Sequence, residues 1–171
     1  MFGNLMFTSV DSFVKTWEAH SGRTAKVLEA LTDASLKQEI TPGHRNLGRI
    51  AWHVVTTVAE MPSHLGLKLE GPAHTEPVPA KAADIVKGYK TLAASLTKQV
   101  KGWQDSDMEI EDNLYGEMWK RGMTLKILID HEIHHVGQMT VLMRQAGLAV
   151  PGIYGPSKEE WSHYGGQPPE V

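Results

Sequence analysis

An all-α four-helix bundle is the fold class the sequence predicts. In four separate windows apolar residues recur at three- and four-residue spacing, and no stretch alternates convincingly between apolar and polar. At 171 residues the chain is long enough to bury a core without staples, and it has no cysteine to make one. A single domain follows, a helical bundle over about 8–147 with a Gly/Pro-rich tail over 148–171.

The first window places Val10, Phe13, Trp17, Thr24, Val27, Leu28 and Leu31 on one stripe, with Ser9 or Asp11 available as a cap and "LTDAS" ending it. His20 falls on that stripe as well. The second starts after "TPGHRN", where Asn46 can cap, and runs through Leu47, Ile50, Ala51, Val54, Val58 and Met61 until Pro62 stops it. A linker, "LEGPAHTEPVP", leads to the third, whose buried face is Ala82, Ile85, Tyr89, Leu92, Leu96 and Val100. The fourth extends from about Met123 to Ala146, with Gly147 placed as a C-terminal stop. Beyond it, Tyr154, Trp161 and Tyr164 predict a packed, ordered tail, while "GGQPPEV" reads as a loose end.

The formal charge of −3 comes with no basic block, which argues against nucleic-acid binding. Without cysteine there are no thiolate ligands and no internal thiol nucleophile, so any thiol chemistry needs a thiol from outside. "MFGNLMFTSVDSF" lacks the features of a signal peptide and no segment is long enough to span a membrane, so the expectation is a soluble cytoplasmic protein with no membrane partner.

Chemistry concentrates in "HEIHH", His131 to His135. On a helical wheel Thr124, Leu128, His131, His135, Gln138 and Leu142 fall on one face, which coincides with the apolar stripe. Two imidazoles one turn apart among leucines are costly to bury unless their nitrogens are satisfied, and a shared cation does that. A third ligand must come from another helix. His53 is the first candidate and His20 the second, and spacing leaves that choice open. His134 lies about 80° from the centre of the pair's face, pointing to a neighbour, solvent or a subunit interface.

The same string satisfies H-E-x-x-H, with Glu132 as the base of a metallopeptidase. A metzincin would need Gly at 138 and His at 141, where this chain has Gln138 and Val141. For a thermolysin-like site the later glutamates, Glu159, Glu160 and Glu170, fall in the tail, and no strand is expected upstream. Glu132 is therefore expected on the helix flank, serving a neighbouring helix, a dimer partner or solvent.

"LGRIAWHVV" followed by "LIDHEIHHVGQMTVLMRQAGLAVPGIYGPSKEEW" resembles the DinB-like or YfiT-like family of metal-binding four-helix bundles, most specifically in "HEIHHVGQ", "RQAG" and "PGIYGP". The resemblance implies metal ligation by His53, His131 and His135, a homodimer, and activity as a hydrolase or as a transferase or isomerase using a low-molecular-weight thiol such as bacillithiol, mycothiol or glutathione. The family name records induction by DNA damage, hence a stress-response association. Members usually carry Arg after the last ligand, and here that residue is Val136.

The leading expectation is a divalent-metal-dependent S-transferase or hydrolase acting on a small molecule. Zn or Ni is the first choice of ion, with Fe, Mn or Cu as further options, and an exogenous thiol is a candidate cosubstrate. A non-catalytic metal-binding bundle and an H-E-x-x-H peptidase are the alternatives. No catalytic residue is assigned, and the candidates are Gln138, on the face of the pair, and Glu60, two turns from His53. Trp52, Tyr115, Trp119, Tyr154 and Trp161 read as packing residues, and Arg49 and Arg144 as solvated charges able to receive a carboxylate.

Overall fold

Three of the four long helices begin where a side chain accepts from a free N–H group, and in the fourth the Arg121 N–H donates to the Ile110 carbonyl. The computed structural model describes residues 6–170, so the first five residues, part of the segment read as lacking a signal peptide, lie outside the described residues. Helix α1 (Val10–Glu29) is capped by Ser9, whose Oγ accepts from the Ser12 N–H. Helix α2 (Leu47–Ser63) is capped by Asn46, which accepts from Arg49 N–H at 2.8 Å. Helix α3 (Ala82–Val100) takes its cap from a distant residue, Asp33, which accepts from Ala82 N–H at 2.8 Å. Helix α4 (Arg121–Gln145) is followed by Gly147 at φ 74°, the left-handed stop that glycine adopts without a Cβ clash.

Pro62 does not end α2, as the sequence suggested, but sits in its last turn. Its ring suits helical φ and costs one N–H donor, a small loss where the helix is already ending.

The helices pack α1 on α3, α3 on α2, α2 on α4 and α4 on α1, closing a four-membered bundle. Phe13 and Trp17 stack within the core at 6.2 Å between ring centroids, and the Trp17 indole N–H donates to the Ala93 carbonyl, tying α1 to α3. Truncating either aromatic would cost about 3–5 kcal/mol. Among the described residues no helix is long and apolar enough to cross a membrane.

Two departures from the expected all-helical pattern matter for the site. A two-stranded antiparallel hairpin, β1 (Glu111–Leu114) and β2 (Glu117–Lys120), precedes α4, so strand structure is present upstream after all. Its two-residue turn has Tyr115 at φ 55° and Gly116 at φ 91°, the paired positive values that match the strand twist. The second departure concerns α4. Its most buried stripe runs through Leu125, Ile129, Glu132, Val136, Met139 and Met143, so Glu132 lies at the centre of the buried face and not on its flank. His131 and Gln138 sit at the border of that face, half-buried and exposed respectively.

The tail lies against the bundle. Arg144 pairs with Glu159, and Glu160 accepts from the Gly152 and Ser157 N–H groups. The Tyr154 hydroxyl lies 3.2 Å from His20 Nδ1, with the Arg23 guanidinium over its ring.

Candidate metal centre

Helices α2 and α4 run side by side, and at their contact three imidazoles converge. His53 Nε2 lies 3.3 Å from His131 Nε2, which in turn lies 3.1 Å from His135 Nε2. The rings stand nearly edge to face, with centroids 4.4–5.0 Å apart. Two nitrogens held at about 2.0–2.1 Å by one tetrahedral ion are about 3.3 Å apart, so these separations are those of a shared coordination shell. Among the described residues this is the cluster able to hold a metal ion.

A neighbour defines the tautomer of His135. His135 Nδ1–H donates to Gln138 Oε1 at 2.7 Å, which leaves the Nε2 lone pair facing the other two rings. Gln138 Nε2 donates in turn to His134 Nε2 at 3.1 Å, so His134 serves Gln138 at the surface. His131 Nδ1 is buried without a hydrogen-bond partner among the described residues, so Nε2 is the ring's one polar engagement.

Electrostatics keep the cluster neutral. Desolvation, then the neighbouring His135 and His131 rings and finally Arg45 and Arg49, push His53 down to about 4. Burial and the His135 and His134 rings bring His131 to about 4, against a smaller opposing pull from Glu60. Burial also lowers His135, partly offset by its bond to Gln138. Three uncharged donors sharing one point suit a divalent ion.

Of the sequence candidates, His53, His131, His135 and Gln138 come together here. His20 does not, and engages Glu132 instead. Glu60 meets the Tyr115 hydroxyl through both carboxylate oxygens, at 3.0 and 2.8 Å, and His64 Nε2 at 3.1 Å. Burial, and then the hydrogen bond to and charge of Glu60, raise the Tyr115 hydroxyl to about 12. Tyr115 is therefore the hairpin's link to α2 and not a packing residue. Trp52 does pack, donating its indole N–H to the Glu76 carbonyl.

The peptidase reading is overturned by Glu132. Its Oε2 accepts from His20 Nε2 at 2.9 Å, Tyr89 hydroxyl at 2.9 Å and Thr24 hydroxyl at 3.2 Å. These partners belong to α1 and α3, whereas the triad faces α2. Glu159 and Glu160 are likewise committed, to Arg144 and to backbone N–H groups.

A family model for the DinB family matches residues 6–170. The chain belongs to the DinB family. It is 45% identical over 167 residues to the uncharacterized protein YrdA of Bacillus subtilis (strain 168), covering 97% of this chain and 100% of that one. The crystal structure of a DinB-like protein from Bacillus cereus ATCC 10987 is 43% identical and superposes with a TM-score of 0.84, covering 87% of this chain and 100% of that one. A second DinB-like structure, YjoA of Bacillus subtilis, shares the fold at 15% identity and a TM-score of 0.66, over 83% of this chain and 96% of that one. Within this DinB bundle Val136 is buried in the core, 2% exposed, so an arginine there would have to bring its charge into apolar packing or force the helix to turn.

Proposed function

We propose that this DinB-family chain is a divalent-metal-dependent enzyme acting on a small molecule, either by transfer to an exogenous thiol or by hydrolysis. The convergence of three neutral imidazole nitrogens, with His131 Nε2 lying 3.3 Å from that of His53 and 3.1 Å from that of His135, carries the reading. A first-row divalent ion held there would supply Lewis-acid activation of a water or thiol. His53, His131 and His135 would hold it, Gln138 would keep His135 in the ligating tautomer, and burial would keep the rings unprotonated at neutral pH. A closed structural site uses four protein ligands, whereas the cluster among the described residues has three, which favours catalysis over a merely structural ion.

The test is metal analysis of the purified protein, followed by an activity screen with the zinc- or nickel-loaded chain. The screen pairs glutathione, bacillithiol and mycothiol with electrophiles and adds small esters and amides. Turnover that disappears on chelation and in His131→Ala supports the proposal. Protein that stays metal-free after loading, or whose turnover survives chelation, would falsify it.

A further inference from the structure

A cavity of about 480 Å³ opens beside the triad, between the approach to α2 and the second half of α4. That is within the usual size of small-molecule sites. His135 and Gln138 form its inner end, and Ile40, Ile50, Val141 and Leu142 give it apolar walls. Ile40 and Val141 are 57% and 51% exposed, so that two large aliphatic side chains face solvent across one groove.

The charge lining this groove has one sign. Arg45 and His44 line it, and no aspartate or glutamate does. Arg45, Arg49 and His53 follow one another at four-residue intervals, so that Arg49 and His53 share a face of α2 and Arg45 extends the row just ahead of the helix. Of the chain's five arginines, Arg121 pairs with Asp112, Arg144 with Glu159, and Arg23 covers Tyr154. Neither Arg45 nor Arg49 is in an ion pair among the described residues. Arg45 lines the groove itself, and Arg49 lies one helical turn before His53 on the same face of α2. In a protein of net charge −3, the groove thus carries cationic side chains with no carboxylate opposing them along its walls.

We propose that the groove is the substrate-binding part of the site and takes a small molecule with an oxyanion head, carboxylate or phosphate, on an aliphatic body. This rests on the metal-dependent reading above. An exposed arginine alone contributes little to binding, but a guanidinium at the mouth of an apolar slot orients an anion whose body is desolvated by the walls. Arg45 and Arg49 would receive the head, and Ile40, Ile50, Val141 and Leu142 the body, which places the molecule against His135.

The experiment uses the zinc-loaded chain, isoleucine methyl-labelled, titrated with hexanoate, hexyl phosphate and the neutral isostere hexanamide, with zinc content measured on the same samples. The expected result is saturable shifts of the Ile40 and Ile50 methyls, with hexanamide at least tenfold weaker than the better anion. The ratio between hexanoate and hexyl phosphate distinguishes the two heads. In Arg45→Gln/Arg49→Gln the anion should bind no better than hexanamide, with zinc content unchanged. Equal binding of hexanamide and both anions to the wild-type chain, or anion shifts confined to other isoleucines, overturns the proposal, and the wild-type comparison holds even if the variant misfolds. If neither zinc nor nickel loads yet both anions still move Ile40 and Ile50 more strongly than hexanamide does, the groove stands and the metal-dependent reading falls. If zinc loads and the groove does not discriminate charge, the reverse holds.

Discussion

Glu132 Oε2 accepts a hydrogen bond from His20 Nε2 at 2.9 Å, fully buried, and so joins α4 to α1 immediately beside the metal-ligand face. The glutamate of "HEIHH" thus performs a structural task while its sequence neighbour His131 turns to α2.

Glu132→Gln should leave metal occupancy unchanged and activity within about tenfold, about 1.4 kcal/mol in barrier height. It should cost about 1–3 kcal/mol of stability by disturbing the buried hydrogen bonds from His20, Thr24 and Tyr89, which lowers Tm by about 2–4 °C per kcal/mol. A loss of turnover equal to that of His135→Ala, with metal still bound, would restore the peptidase mechanism.

His53→Ala, His131→Ala and His135→Ala should each abolish stoichiometric metal binding, whereas Gln138→Ala should weaken affinity by about 10–100-fold by releasing the His135 ring. Competition with a chromogenic chelator measures both. Retention of full affinity in Gln138→Ala would show that the bond to His135 Nδ1 is incidental.

In the metal-free protein, His53 and His131 protonate only near pH 4, whereas the unfolded chain takes up those protons near 6.5. Between these values the unfolded state binds more protons, so stability rises with pH across the window and is lost as pH falls from about 6.5 towards 4. Urea denaturation of the apo-protein at pH 7, 5.5 and 4.5 should show this decline, and replacing both histidines by Ala should flatten it.

Gly122→Ala should destabilise by about 1–3 kcal/mol, because a Cβ there would overlap the Phe7 carbonyl oxygen. Thermal melting reads the effect. A neutral outcome would mean that the segment before α1 is free to move aside.

The four helices were legible because their apolar spacing is regular, and all six residues assigned to the buried face of α3 are indeed buried. The hairpin was not, because it buries little beyond Leu114, and its Tyr115–Gly116 turn lacks the Asn-Gly or Asp-Gly pair that usually marks such a loop. In the candidate site, His131 and His135 stood out by their spacing. Placing Glu132 required three-dimensional information, because apolar residues occupy so much of the circumference of α4 that the wheel does not single out the centre of its buried face. Arg45 carried no sequence signal, as it lies in a loop where a charged residue is unremarkable.

The bond from Glu132 to His20 also acts as a rotational stop. A helix tied through a buried carboxylate to His20, Thr24 and Tyr89 on one side would have to break those bonds to turn about its axis and suit an ion on the other. The spacing of His131 and His135 against His53 would then be a template cut before any ion arrives. Such a template would select by ionic radius and bond direction, so that an ion preferring a flat arrangement of donors would bind only at the cost of helix rotation.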